Sequence, residues 1–406
     1  MRIAKSVKIL YFTYMQKDPE NAHAEYMTGF CTKAIHVGNK PDPQTNAITV
    51  PIYAVSSFRV TSKEQKYMYS RVANPTRDAL ETNLACLEKA KFCVSASSGM
   101  AACSLVMHIF NQGAHILCSE NVYPDVRKYM EGIAKSAEGL KVEFADFSNL
   151  EAIKEKFKTG VHGVWVESPG GATLEVYNIP ELAKICGEHG AILIVDNTVL
   201  SPYLMNPLEM GASIVVHSCT DAINGHNDVL MGAVMTNNDK IYEGLRGCSM
   251  LMGCFPGAFD CYMVLRGTKT LGIRMDESLE NAGELAKLLA ENPKVEECIY
   301  PGLSSHKGHE LLKKQAKGFG SMIGLRLKGG EEAAKKFCQE LTVFTRTVGG
   351  GCLESMVYIP ACTTYKDLPE DLCKKLGVTK NLVMLSIGNE DLEDLKKDLI
   401  EALSKI

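Results

Sequence analysis

From about residue 75 the chain alternates between the two hydrophobic periods that separate helices from strands. Asn74 and Pro75 are a natural N-cap and first helical residue, and Leu80, Leu84 and Leu87 recur on one face, which predicts a helix to about Ala90. Short apolar segments rich in β-branched residues follow at 92–97, 115–119, 141–146, 161–168, 191–197, 211–218 and 228–236, each of strand length. Most connections hold a helix, as at Leu150–Phe157 and Pro180–His189. Right-handed crossovers and a mostly parallel seven-stranded sheet, covered by helices on both faces, are therefore expected. Only 9 residues separate the last two segments, too few for a helical crossover, so the seventh strand is expected to run antiparallel. After about residue 262 longer helices dominate, ending with Leu392, Leu395, Leu399 and Leu403 on one face of a helix with an acidic start. This pattern divides the chain into an extension and arm (1–58), a large α/β domain (59–262) and a smaller C-terminal α/β domain (263–406). The run Gly349–Gly351 follows no strand-to-helix phosphate pattern and reads as a tight turn.

Composition narrows the function. No apolar run approaches the roughly 18 residues that span a bilayer, so a membrane protein is not expected. A net charge of −4 with Lys and Glu interspersed leaves no basic stripe, so nucleic acid is not an expected partner. The 15 cysteines are scattered from Cys31 to Cys373 without a CxxC pair, which reads as reduced thiols in a cytoplasmic protein. Neither they nor the 10 histidines show metal-ligand spacing, and His306 and His309 are expected at the surface. Arg2, Lys5 and Lys8 precede a short apolar stretch, residues 9–15, without a small-residue cleavage site; it reads as an N-terminal extension, disordered or packed.

In an open parallel sheet, ligands gather at the carboxyl ends of the strands. The first strand ends in Ser98-Gly99-Met100-Ala101 and runs into an apolar helix, whose first N–H groups suit a phosphate. The fifth ends in Asp196, a carboxylate that needs a cationic partner at the end of an apolar strand. The sixth ends in His217-Ser218-Cys219-Thr220, with two hydroxyls at i, i+2 able to meet phosphate oxygens. Tyr123 offers an aromatic face after the second. Together they suit a flat ring with a cationic nitrogen and a phosphate.

The segments Tyr69-Ser70-Arg71, Asn74-Pro75-Thr76-Arg77, Ser98-Gly99-Met100-Ala101-Ala102, Val195-Asp196-Asn197-Thr198, Ser201-Pro202-Tyr203 and Asn224-Gly225-His226 extend this reading. So do Leu265-Arg266-Gly267, Tyr300-Pro301-Gly302-Leu303 and Leu385-Ser386-Ile387-Gly388. Over residues from about Cys31 to the C-terminus the chain resembles the cysteine/methionine-metabolism (transsulfuration) family of pyridoxal 5'-phosphate (PLP) enzymes, with the cystathionine γ-lyase branch nearest. The resemblance implies fold-type I, aspartate aminotransferase-like architecture and a tetramer of two close dimers. It also implies sulfur amino acids as ligands and carbon–sulfur cleavage of cystathionine as chemistry. By the same resemblance, Gly99, Met100, Ser218 and Thr220 hold the phosphate, Tyr123 stacks on the ring, Asp196 keeps its nitrogen protonated, and Tyr69 and Arg71 reach a neighbouring subunit's phosphate.

The departures fall where the chemistry is done. The family's Ser-x-Thr-Lys supplies the Schiff-base lysine; here Asp221 stands in its place and has no amine to condense. The asparagine of the family's Glu-Ser-Pro-x-Asn-Pro is Gly171, and the arginine that grips the substrate carboxylate is Met384. The serine of a Ser-Leu-Gly-Gly motif has no counterpart in Gly349-Gly350-Gly351-Cys352. Lys240 and Lys269 are the lysines considered for rescue; both have structural explanations. A pseudoenzyme with no catalytic residue intact is therefore expected, binding PLP non-covalently. A regulatory or structural subunit, completing an active paralogue's site through Tyr69 and Arg71, and a lyase with rerouted chemistry are the alternatives.

Overall fold

The computed structural model describes residues 27–406, so the basic and apolar stretch of residues 2–15 lies outside the described residues. Seven strands, β1 (Phe92–Ala96), β2 (His115–Ser119), β3 (Lys141–Ala145), β4 (Val161–Glu167), β5 (Ile192–Asp196), β6 (Ile214–Ser218) and β7 (Gly232–Thr236), form one sheet. Their order is β1-β7-β6-β5-β4-β2-β3. The pairings from β6 across to β3 are parallel, and β7 runs antiparallel to both neighbours. The short loop before β7 has the consequence expected of it. The strands are a little shorter than the apolar segments suggest. Before β6, Gly211 adopts φ 97° to end a short turn, and the chain is extended only from Ile214.

Helices cover both faces because β5 and its neighbours alternate with period two. Leu193 and Val195 pack with Leu80, Leu84, Leu182 and Ile185 on one side. Ile194 packs with Leu105, Val106 and Leu245 on the other. The helix Pro75–Leu87 is capped by Asn74, whose side chain accepts from the Thr76 N–H, and buries Leu80, Leu84 and Leu87.

The C-terminal part builds a second sheet from β8 (Val295–Ile299), β9 (Met322–Leu327), β10 (Thr345–Arg346), β11 (Met356–Tyr358) and β12 (Leu382–Ser386), in the order β10-β11-β12-β9-β8. One face holds Val383 and Leu385 against Leu395, Leu399 and Leu403 of the helix Leu392–Ser404. The other holds Leu382 and Met384 against Ala172 and Leu174 from the loop after β4, which joins the two sheets. His306 and His309 are half-buried rather than exposed, the second stacked on Phe319 at 5.0 Å. Among the described residues no helix is long and apolar enough to cross a membrane.

Candidate functional site

The anion-facing end is built by close backbone approach. A Cβ on Gly99 would stand 3.0 Å from the Ser218 Cβ, and one on Gly232 would stand 2.3 Å from the Ser98 carbonyl oxygen. Only glycine lets the helix Gly99–Met107 start this close to the ends of β6 and β7. Ser98 caps that helix by accepting from the Ala101 N–H at 3.0 Å. The Gly99 and Met100 N–H groups find no acceptor among the described residues and project from the helix start, where the dipole favours an anion.

Asp196 and Glu167 are cross-strand partners at the carboxyl ends of β5 and β4. Asp196 Oδ1 accepts from the Thr198 N–H at 3.0 Å and from its hydroxyl at 2.6 Å. The same hydroxyl accepts from the Ser218 N–H at 2.9 Å, tying Asp196 to the end of β6. Glu167 accepts from the Tyr123 N–H at 2.7 Å and from the Gly171 N–H at 3.4 Å. Burial pushes both carboxyls above their ordinary range, and for Glu167 the neighbouring Asp196 adds to the effect. Thr198 and, less strongly, the His217 ring offset part of the rise at Asp196, but that ring is committed to the buried Glu88 at 2.7 Å. Neither carboxyl meets a lysine or arginine in an ion pair among the described residues, so no basic side chain of those residues supplies the cationic partner expected for Asp196.

Asp221 lies in the tight turn Thr220–Asn224 that follows β6. Arg274 holds that turn by donating to the Ala222 carbonyl at 2.8 Å and the Ile223 carbonyl at 3.2 Å. Burial raises the Asp221 pKa to about 7; the Ser218 hydroxyl offsets part of the shift and Asp196 adds to it. Its charge is also felt at Glu167, Tyr123, Tyr358 and Cys352, which places one carboxylate in common view of all of them. Beside Asp221 lies a cavity of about 340 Å³, lined also by Thr220, Asn227, Thr347, Gly350 and Cys352, with no lysine or arginine in its lining. Lys240 is exposed at a helix start and Lys269 is half-buried at a helix end; neither lines this cavity.

Positions 171 and 384 share one neighbourhood. Gly171 has φ 65°, and a Cβ there would meet the Asn121 side chain at 3.1 Å. The next residue, Ala172, shares an apolar cluster with Met384, Tyr365 and Ile299. Met384 is 1% exposed and pairs with Tyr358 and Gly324 across the second sheet. The glycine turn has φ 135° at Gly349 and 73° at Gly351, and it closes over the cavity with the Gly351 N–H donating to Ser386 Oγ at 2.9 Å. Cys352 is buried, and its thiol is pushed up to about 12 by burial and by Asp221.

The structure thus brings Asp196, Ser218, Gly99, Met100 and Asp221 to one end of the large sheet, with Tyr123 beside them. Thr220 turns away in part: its hydroxyl accepts from the Met231 N–H at 3.1 Å. Tyr69 and Arg71 lie elsewhere, both exposed, the guanidinium 5.4 Å from the tyrosine ring and donating to the Met250 carbonyl at 2.9 Å. Sequence reasoning assigned no role to Thr198, Glu167 or Arg274. Glu167 carried a usable signal, since it closes an apolar strand just as Asp196 does.

A profile of the family described as Cys/Met metabolism PLP-dependent enzyme matches residues 31–404. Cystathionine γ-lyase of Dictyostelium discoideum is 39% identical over 377 residues, 92% of this chain and 97% of that protein. Cystathionine β-lyase of Coxiella burnetii is 38% identical over 375 residues, 92% of this chain and 97% of that protein. The crystal structure of cystathionine γ-synthase from Xanthomonas oryzae pv. oryzae, in complex with aminoacrylate and cysteine, superposes with a TM-score of 0.91 at 33% identity, covering 93% of this chain and 98% of that one.

Proposed function

The chain belongs to the Cys/Met metabolism family of PLP-dependent enzymes, and from that premise we propose that it keeps a cofactor cradle and has lost the lyase. The residues fit the group at two of three points. The unpaired Gly99 and Met100 N–H groups would donate to the phosphate, with Ser218, whose hydroxyl is drawn to Asp221, beside them. Asp196, 9% exposed and hydrogen-bonded to Thr198, pairs with a protonated ring nitrogen. The fit fails at the third point, because the Asp221 carboxylate stands where the family's lysine condenses with the aldehyde.

That replacement carries the proposal. Bound PLP supplies an electron-withdrawing ring to an amino group held on it. In this chain the residue nearest that chemistry is an acid, so it can neither anchor the cofactor covalently nor deliver the lysine's amine to a substrate carbon. Met384 adds an apolar side chain to the substrate end, where a carboxylate ligand needs a cation. The purified protein is expected to show no visible band that borohydride fixes to the chain. Cystathionine cleavage, read as cysteine and 2-oxobutyrate release, is expected at background. A fixable band with turnover above background overturns the proposal.

A second reading, a subunit that completes an active paralogue's site within a homo- or hetero-oligomer, is favoured by one observation. Tyr69 and Arg71 are exposed, and Leu251, Met252 and Phe259 are exposed at 60%, 44% and 61% on the helices that follow the Arg71 contact at Met250. Cytoplasmic location and a tetramer of dimers belong to this proposal too. Co-purification of an active paralogue whose activity falls with Arg71→Ala supports the subunit reading, and a strictly homomeric assembly counts against it.

A further inference from the structure

The pocket carries an unusual charge inventory for a PLP cradle. Asp196 bears on both Glu167 and Asp221, Asp221 bears on Glu167, and no lysine or arginine among the described residues forms an ion pair with any of them. His217 bears on Asp196, yet its own partner is Glu88. A metal ion does not account for the three acids, since no three such groups among the described residues converge as a ligand set. A bound ring with a protonated nitrogen answers Asp196 alone. It would leave Asp221, which lines the adjoining cavity, without a cation, since an aldehyde has no proton to donate and the ring oxygen is itself negative. Arg274 braces the backbone of the turn that carries Asp221 through the Ala222 and Ile223 carbonyls.

Resting on the cradle proposed above, we infer that this pocket selects the amine form of the cofactor, pyridoxamine 5'-phosphate, with Asp221 pairing its aminomethyl group. In the family the protein brings the amine and the ligand brings the carbonyl; here the partition of charge is reversed. The aminomethyl nitrogen stands one carbon out from the ring, on the side that faced the missing lysine. An aspartate is shorter than a lysine, and the shortfall is about the span of one N–H···O contact, ~2.8 Å. The ammonium gives Asp221 the cation that the lining of its cavity lacks. The cavity beside Asp221 and its hydroxyl-bearing lining, Thr220 and Thr347, leave room for the group and acceptors for its remaining protons.

The test compares ligands that differ only at this carbon. The full-length chain, freed of vitamers, is titrated by calorimetry with pyridoxamine 5'-phosphate and with pyridoxine 5'-phosphate, whose hydroxymethyl group has the same size and no charge. The amine is expected to bind about tenfold tighter or more, the scale of a charge-assisted hydrogen bond. Asp221→Asn is expected to remove that preference while its melting temperature shows that the protein is folded. Equal affinities for the two ligands, or a preference that persists in Asp221→Asn, overturn the inference and leave the cradle standing. Failure of the folded wild-type chain to bind either ligand overturns the cradle and the inference together. The Asp221→Lys substitution gives a control of opposite sign: the folded variant should reject the amine and retain the hydroxymethyl form, and continued preference for the amine would also overturn the inference.

Discussion

The two ends of the pocket are held in different ways. At the phosphate end the determinants are mostly backbone: two N–H groups at a helix start, and glycines at 99 and 232 that no Cβ can replace without a clash. At the other end, around the cavity beside Asp221, side chains such as Asp221, Thr347 and Cys352 predominate. A backbone cradle is also part of the fold, because the approach of Gly99 to Ser218 is the packing of a helix onto the sheet. It therefore persists for as long as the fold does. A side-chain constellation makes no such contribution, so it can change without loss of the fold. Met384 and Ala172 pack in one apolar cluster.

The sharpest way to separate the ends is to repair one of them. Asp221→Lys is expected to take the protein with added PLP from no fixable absorbance to a full, borohydride-fixable visible band, while cystathionine cleavage stays at background. Robust cleavage by that single variant would show that the substrate end is intact. Met384→Arg, which restores a cation to the other end, buries an unpaired charge and is expected to cost about 3 kcal/mol or more by denaturant melts. An unchanged midpoint would mean that the site is still polar enough to receive a guanidinium. Gly99→Val attacks the backbone cradle, and a roughly hundredfold loss of pyridoxine 5'-phosphate binding is expected as the side chain enters the anion position. Retained affinity would show that phosphate is not held there.

The smallest effect concerns pH. Asp221 has a folded pKa of about 7 against an ordinary value of 3.8. The folded state therefore holds this proton more tightly than the unfolded one. Its contribution to stability is complete below pH 3.8 and is lost as the pH rises to about 7. Asp221→Asn removes that slope. Its melting temperature should match the wild type at about pH 4 and exceed it at about pH 8 by up to about 5 °C, because the difference between 3.8 and about 7 is worth at most roughly 4 kcal/mol and a chain of 406 residues responds by about 1 °C per kcal/mol. A difference that does not change with pH would place the Asp221 carboxyl in water.

Much of this was legible along the chain. The seven strands, the antiparallel β7 and the leucine face of the final helix follow from spacings of two and three to four residues, which a window of about ten residues contains. Asp196, Ser218 and Gly99 were found because each closes or follows an apolar strand, and strand ends converge in a parallel sheet. Glu167 was read only as part of a motif, since the pairing that sets it against Asp196 is a matter of register between β4 and β5. Arg274 braces the Asp221 turn from 52 residues beyond Ala222, outside any local pattern.

By itself the sequence determined the order and kind of the elements and the chemistry available at each strand end, including an acid at 221. Only the tertiary structure decided that Glu167 pairs with Asp196 across β4 and β5, that Asp221 lines a cavity with no lysine or arginine among the described residues, and that Met384 packs beside the loop carrying Gly171. The reason is physical: periodicity encodes which face of an element is buried, whereas register and packing between distant segments arise from long-range contacts that no local pattern records.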